Sequence, residues 1–328
     1  MSTALPLHHG PALPALRAPL SAYEFFETVY RLEHLAASPE TTLIQYRIAL
    51  RHLDRYRPPD QRSRPLAVDD FTREAVLHCR AGLLADKRTK ATANKVVRHL
   101  MAVWRCAHEE GYAAEEPRTI KKIKEEKRAA RAWTVDEMGR ILLVASGMTG
   151  QVCGIRASVW WTAFFLVLYD TGLRISSVMD LRWEHFDDRG MEFRVPAEIV
   201  KDDEELVLAL SAQTLSAIRA LGGTGAIEIF PWPYDRDHCW RTLRDHMRRI
   251  QSEAGLKWRA REGGFHQYRR TTASYLNREG GDATEHLGHS TREVTKVYLD
   301  KRICHRRRQV DLLPRPKLAE PDPQLRLF

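Results

Sequence analysis

The chain has 328 residues, enough for two domains at roughly 100–200 residues each. Its 43% hydrophobic and 29% charged content supports a packed core and argues against global disorder. Lys and Arg number 52 against 43 Asp and Glu, a net charge of +9, which points to a polyanionic partner, either nucleic acid or an anionic membrane surface. The five cysteines, Cys79, Cys106, Cys153, Cys239 and Cys304, are odd in number and form no C-x-x-C pair. That argues against a disulfide framework or a zinc ribbon and fits a reducing cytosol. The opening MSTALPLHHGPALPALRAPL lacks a continuous apolar stretch, so no secretory signal is expected. The longest apolar run, Ala157 to Tyr169, has thirteen residues, short of the ~20 that span a bilayer, and reads as a buried helix.

Residues 1–20 read as a mobile Pro/Ala-rich arm. From Ser21 to Pro117 the pattern is helical. Ser21 is placed to cap a helix with Phe25, Val29 and Leu32 on its apolar face. Leu43, Tyr46, Leu50 and Leu53 mark a second helix. Asp70 is read as the cap of a third, with Phe71, Ala75, Val76 and Cys79 on one side. Thr92 to His108 carries Val96, Val97, Leu100, Val103 and Trp104 at helical spacing. Residues 118–131 read as a basic linker. The wider stretch PRTIKKIKEEKRAAR (117–131) has seven Lys/Arg and two Glu. A run of this kind is ordinarily a solvated face, but it also suits a path along a phosphate backbone. At TVDEM, Thr134 and Glu137 form a capping-box pattern, and long helices are expected as far as Tyr169. The stretch 191–210 then alternates as short strands at 191–195, 198–201 and 206–210. Helical periodicity returns at Ala212 and runs to about Leu313. A second basic stretch, Lys296 to Lys317, precedes a Pro-rich tail at 314–328.

The second half holds Arg174, Lys201, His266, Arg269, His289 and Tyr298. Such a set suits metal-free attack on a phosphodiester. Two Arg would match the charge that builds on the non-bridging oxygens. A Lys or His would protonate the departing oxygen. A Tyr would serve as nucleophile, its pKa of ~10 calling for nearby positive charge or a base. Each residue also has a plain structural reading: surface arginines beside a turn, a hairpin lysine, a core or solvated histidine, a core aromatic. A zinc reading of His266, His286 and His289 is weak, because no H-E-x-x-H is present.

YDTGLRISSVMDLRW (169–183), H-x-x-R (266–269) and LGHSTREVTKVY (287–298) resemble, in order and spacing, the tyrosine recombinase (phage integrase) family. His289 stands nine residues before Tyr298, as the family's L-G-H motif does before its nucleophile. Residues 87–117 are similar to the last helices of the family's core-binding domain, and RAWTVDEMGRIL to the start of its catalytic domain. The resemblance implies a mainly α fold with a small β-sheet. A helical core-DNA-binding domain would occupy 21–117 and an α+β catalytic domain 132–313, together forming a C-shaped clamp on duplex DNA. It implies a site-specific recombinase acting through a 3′-phosphotyrosyl intermediate, with no metal, cofactor or ATP. Tyr298 would be the nucleophile. Arg174 and Arg269 would hold the phosphate, His266 and His289 would assist, and Lys201 would be the general acid for the 5′-oxygen. Candidate DNA contacts are Lys121, Lys122, Lys124, Lys127 and Arg128, with Thr92 and Asn94. A homotetramer on two DNA sites is implied, with Leu325, Leu327 and Phe328 as anchors on a neighbour. The expected location is cytoplasmic, at the nucleoid when bound to DNA, with no membrane association.

Four positions depart from the family pattern. Ser177 stands where a Glu or Asp often follows the first Arg. Asp202, Asp203, Glu204 and Glu205 follow Lys201 where a basic turn is usual. Arg270 occupies a position where His is frequent, and the segment 281–287 is short. No catalytic side chain is lost, so activity is expected. The alternatives are a type IB topoisomerase, a disabled recombinase that only binds DNA, and, remotely, a membrane-surface protein.

Overall fold

A computed structural model describes residues 18, 20–126, 129–200, 204–222, 225–258 and 264–304, with backbone alone at 236–238. The N-terminal arm up to residue 17, Lys201, Lys127, Arg128 and the tail with Leu325, Leu327 and Phe328 lie outside the described residues. The chain divides into two compact units, 1–127 and 128–328. Among the described residues no helix is long and apolar enough to cross a membrane.

The first unit is built from helices α1 (Ala22–Phe25), α2 (Arg31–His34), α3 (Glu40–Arg55), α4 (Arg73–Ala85) and α5 (Lys90–Glu109). Ser21 caps α1 as expected, its Oγ accepting from the Glu24 N–H at 3.1 Å. A π-helical turn, Phe26–Tyr30, separates α1 from α2. Its wider turn rotates the apolar face, so Phe26 and Tyr30 are buried while Leu32 is 64% exposed. The expected apolar positions of the other helices (Leu43, Leu50, Leu53, Val76, Cys79, Val96, Leu100, Trp104) are core residues. Asp70 is not a helix cap. Thr72 caps α4, accepting from Ala75 N–H at 3.1 Å. The Asp70 carboxylate instead receives Arg57, Arg64 and the Ala67 N–H.

The expected basic linker begins as part of this unit. Asn94 on α5 donates to the Ile123 carbonyl (2.9 Å) and to Glu125 (2.8 Å) and accepts from the Ile123 N–H (3.0 Å). Arg80 donates to the Lys121 carbonyl at 2.9 Å. Residues 120–125 are thus pinned along α5 in extended form.

The second unit begins at α6 (Val135–Ser146), and the Thr134–Glu137 capping box forms in both directions, at 2.9 and 3.1 Å. Between the long helices expected up to Tyr169 lies a hairpin that the sequence reading did not foresee, β1 (Gln151–Val152) and β2 (Ile155–Arg156). Cys153 and Gly154, at φ +47° and +83°, make its two-residue turn. Then α7 (Ala157–Thr171) runs through the core, with Trp160, Trp161, Phe164, Phe165, Val167 and Leu168 fully buried. A helix apolar all round belongs at the centre of a unit, and the others pack on it.

Helix α8 (Ile175–Met179) follows, then an antiparallel sheet of β3 (Phe186–Asp187), β4 (Glu192–Val195) and β5 (Leu206–Ala209) in that order. Phe186 pairs with Phe193, and Val195 with Leu206. The strand expected at 198–201 is instead a 3₁₀ turn at Ala197–Ile199, entered from Pro196, whose fixed φ and missing N–H disfavour a ladder. Helices α9 (Ala212–Leu221), α10 (Arg236–Glu253) and α11 (Phe265–Glu279) complete the body. Three short ones close it: α12 (Ala283–His286), α13 (Arg292–Lys296) and α14 (Lys301–Cys304).

Gly172 ends α7 at φ +59° and ψ 13°, in the left-handed region. A Cβ there would stand 2.6 Å from Leu287 Cδ2 and 3.2 Å from Thr272 Cγ2. Gly172→Ala combines a backbone cost of about 1–2 kcal/mol with an overpacking cost of about 1–3 kcal/mol. We expect urea denaturation to show a loss of roughly 2–5 kcal/mol from the two together. Gly150→Ala is the control: its site is open, with nothing within 4 Å, so only the backbone cost should appear.

Candidate active site

Three sequence motifs meet around one side chain. Arg269, on α11, is only 1% exposed. Its Nη1 donates to the Gly172 carbonyl at 2.8 Å, the residue that ends α7. Its Nη2 donates to the Leu287 carbonyl at 2.7 Å and to His289 Nε2 at 2.8 Å. The guanidinium therefore fastens the T-G-L-R turn to the L-G-H turn. Two further bonds reinforce the joint. Thr272 Oγ1 donates to the Tyr169 carbonyl at 2.6 Å, and His286 Nε2–H donates to the Asp170 carbonyl at 2.8 Å. His286 thus faces α7 and is not grouped with His266 and His289 as a ligand set.

A guanidinium cannot accept a hydrogen bond, so His289 Nε2 must present a lone pair to Arg269. His289 Nδ1 then carries the proton and donates to Thr295 Oγ1 at 2.9 Å. Thr295 passes the chain on to Thr284 Oγ1 at 3.1 Å. His289 and Thr295 are 7% and 4% exposed, so this chain is shielded from competing water.

Tyr298 is half-buried beside this network. Its ring centroid lies 5.0 Å from that of His266 and 5.0 Å from that of His289. The Arg269 guanidinium carbon is 5.6 Å from the ring centre, in cation–π range. Tyr298 stands in the turn after α13, not on a helix, with its N–H donating to the Thr295 carbonyl at 2.9 Å. Its flank is less polar than the sequence implies. Asp300 is 1% exposed. It accepts from the Ala132 N–H at 2.8 Å and from Arg302, while its own N–H donates to Ser274 Oγ at 2.8 Å. Burial alone would raise the Asp300 pKa, but Arg302 and the backbone donors bring it below the ordinary carboxylate value. A charged residue is buried here because it ties the chain just after Tyr298 to the start of the unit.

His266, exposed on its outer side and packed on Tyr298 on its inner side, is strongly perturbed. Burial, then the charges of Arg270, Arg269 and Arg174, lower its pKa from 6.5 to about 4. Arg174 is half-buried at the N-cap of α8 and acts on the same histidine. The structure therefore brings together Arg174, His266, Arg269, His289 and Tyr298. Lys201 lies outside the described residues, but Ile199 and Val200 before it pack on the unit's core.

In the first unit, Lys121, Lys122 and Lys124 are exposed, with Lys122 3.2 Å from Glu125. Thr92 is taken up at the start of α5, its hydroxyl 2.9 Å from Thr89 Oγ1. Asn94 was expected to face DNA, yet its amide holds the segment 123–125. A groove of about 520 Å³ between α4, α5 and residues 119–125 is lined by Arg80, Lys95, Arg98, Arg105, Lys121 and Lys122, with Glu125. Sequence reading missed the cations of α4 and α5. The signal was present as Lys95, Arg98 and Arg105 at spacings of three and seven, on one helix face.

Two spectroscopic outcomes follow. In the free protein the His266 imidazole should titrate near pH 4 by NMR, and a midpoint near 6.5 would contradict the geometry. The stability sign is fixed too. Between about 4 and 6.5 the unfolded chain binds more protons at this site, so His266 favours folding fully at pH 7 and loses that contribution as pH falls. His266→Asn should flatten that part of the stability curve. Imidazole nitrogen shifts for His289 should report a protonated Nδ1 and a bare Nε2, and Arg269→Ala should weaken that preference, because Arg269 is the donor that requires the Nε2 lone pair.

The family model described as the phage integrase family matches residues 136–304. Tyrosine recombinase XerC from Xylella fastidiosa strain M23 is 27% identical over 143 residues, 42% of this chain and 47% of the relative. The same figures hold for XerC of strain Temecula1 / ATCC 700964. The chain thus spans about half the length of the curated relatives it matches. Among solved structures, a lambda integrase dimer bound to a COC′ core site has a TM-score of 0.67 at 18% identity, covering 87% of this chain and 78% of that one. The Tn1549 transposon integrase in complex with circular intermediate DNA has a TM-score of 0.62 at 14% identity, covering 85% and 95%. At these identities the structural likeness establishes the fold. The family match covers just over half of the chain, including the arginine-centred site, and the chain belongs to the phage integrase family.

Proposed function

We propose that this chain is a site-specific DNA recombinase that cleaves and rejoins duplex DNA through a phosphotyrosine at Tyr298. The carrying observation is the enclosure of the Tyr298 ring by His266, His289 and Arg269. A phenol held among cations and a neutral imidazole is suited to attack a phosphodiester. In the proposed step the Tyr298 oxygen forms a bond to phosphorus and the bond to the 5′-oxygen breaks. The products are a 3′-phosphotyrosyl enzyme and a 5′-hydroxyl. With its pKa near 4, His266 is unprotonated at neutral pH and offers a lone pair to the phenol proton. Lys201 supplies the proton to the departing oxygen. Arg174 and Arg269 stabilise the charge on the non-bridging oxygens. A 5′-hydroxyl from a partner duplex reverses the step, and the phosphotyrosyl bond conserves the energy, so neither ATP nor a metal is needed.

The basic groove of the first unit and Lys121, Lys122 and Lys124 fit the DNA backbone, with Lys127 and Arg128 next in sequence. Lambda integrase has been solved as a tetramer bound to a Holliday junction. We extend that assembly to this chain, as four copies on two DNA sites. The domain reading stands with it: a helical DNA-binding part, then a basic connection, then the catalytic part.

The test is covalent trapping on nicked duplexes drawn from the DNA flanking the gene, without metal, resolved on a denaturing gel. A shifted band is expected with the wild-type chain and none with Tyr298→Phe. Arg269→Ala should slow trapping by roughly 10²–10³ or more, the scale of losing one transition-state donor. Duplex binding with no adduct on any site would sink the enzymatic reading. Relaxation of supercoiled plasmids regardless of sequence would mark a topoisomerase instead.

A further inference from the structure

Ser177 replaces a carboxylate frequent at this place in the family, and its hydroxyl is engaged away from the arginine. Ser177 is 2% exposed, and its Oγ donates to the Ile199 carbonyl at 2.6 Å. It lies on α8, three residues after Arg174, and the Arg174 carbonyl accepts from the Val178 N–H at 3.0 Å. Ile199 ends the 3₁₀ turn that replaces the expected strand, and Lys201 follows two residues later. Two residues of chain span at most about 7 Å, so whatever fixes Ile199 limits where Lys201 can be presented.

The far end of the same loop is also fixed. Leu206 opens β5 in register with Val195, and its side chain lies against Gly288, where a Cβ would come within 3.0 Å of it. Gly288 adjoins His289. The described residues on either side are therefore both fixed, Ile199 to the segment of Arg174 and Leu206 to the segment of His289.

We infer that Ser177 is a positioning residue for Lys201: its hydrogen bond to Ile199 ties the loop that carries the general acid to the helix that carries Arg174. The donor is essential. A buried carboxylate here would face a carbonyl oxygen, an acceptor, and be repelled unless protonated. This chain has thus exchanged a charged residue for a hydroxyl that anchors the loop. The inference rests on Lys201 being the general acid of the proposed reaction.

The experiment separates the anchor from its purpose. Hydrogen exchange of the wild-type chain and of Ser177→Ala reads the anchor without any activity. The Ile199 and Val200 amides donate within the turn, at 3.2 and 3.0 Å, and should exchange faster in the variant, while the α7 amides stay unchanged. Trapping then uses two nicked duplexes, one natural and one with sulfur in place of the bridging 5′-oxygen. A thiolate leaves without being protonated and does not need the acid. Ser177→Ala should be roughly 10- to 100-fold slow on the natural duplex, part of the 10²–10⁴ that acid catalysis contributes. It should be close to wild type on the sulfur duplex, and Ser177→Thr should restore the natural rate. Equal slowing on both duplexes, or unchanged exchange at 199–200, would overturn the inference. A wild-type chain that traps neither duplex would count against the enzymatic reading, while the exchange result still judges the anchor.

Discussion

A single buried guanidinium holds this site together. Arg269 is 1% exposed, and the three acceptors described for it, the Gly172 and Leu287 carbonyls and His289 Nε2, carry no formal charge. Removing an arginine from water costs several kcal/mol. Hydrogen bonds from a charged donor return about 1.5–3 kcal/mol each, so three of them are of comparable size. The balance holds only if all three acceptors arrive together. That makes the side chain a condition on the fold: the end of α7 and the turn after α12 must both close on α11. Gly172 serves the same end, because a side chain there would hold Leu287 away.

The electrostatics of the site follow from that arrangement. The charges acting on His266 come from Arg270, Arg269 and Arg174, and together with burial they keep it neutral at neutral pH. Like charges held close cost energy that an anion would relieve. In the proposed reaction a phosphodiester would be that anion, since its charge would grow on the non-bridging oxygens. The same repulsion that lowers the histidine pKa in the free protein thus becomes attraction once a phosphate is bound. The fold supplies the positive field in advance, so little reorganisation is left for the transition state.

The site was more legible than the fold around it. Chemistry demands residue types at fixed spacing, and Arg174, His266, Arg269, His289 and Tyr298 are brought together as their motifs imply. Local capping was legible at Thr134 and Ser21, because a cap is decided within four residues. The misreadings have long-range causes. Asp70 looked like a cap until Arg57 and Arg64 claimed it. Leu32 fitted a regular helix and was turned outward by a π-turn that periodicity cannot show. Asp300 carries no mark of burial in the sequence, and only the folded chain brings it to Ala132. Asn94 had no visible reason to bind a segment 29 residues later. Apart from the π-turn, each case depends on a partner outside the local pattern, and such a pattern carries no information about those partners.

The segment that carries Tyr298 shows how placement and chemistry are joined. Helix α13 has five residues, and Thr295 is the one it buries, with Val294 and Val297 left 40% and 67% exposed. Apolar packing begins only beyond α13, where Tyr298 and Leu299 lie against Ala273, Ala283 and Leu287, and it contributes little to holding the helix itself. What holds it is polar: Thr295 bonded to His289 and Thr284 on one side of Tyr298, and Asp300 bonded to Ala132 on the other. Hydrogen bonds are directional and apolar contacts are not, so this attachment fixes orientation at small cost in buried area. The Thr295 hydroxyl also receives the proton that Arg269 forces onto His289 Nδ1. The contact that seats the tyrosine segment is thus the contact that completes the hydrogen bonding of the buried histidine, so placement of the segment and order in the site are linked.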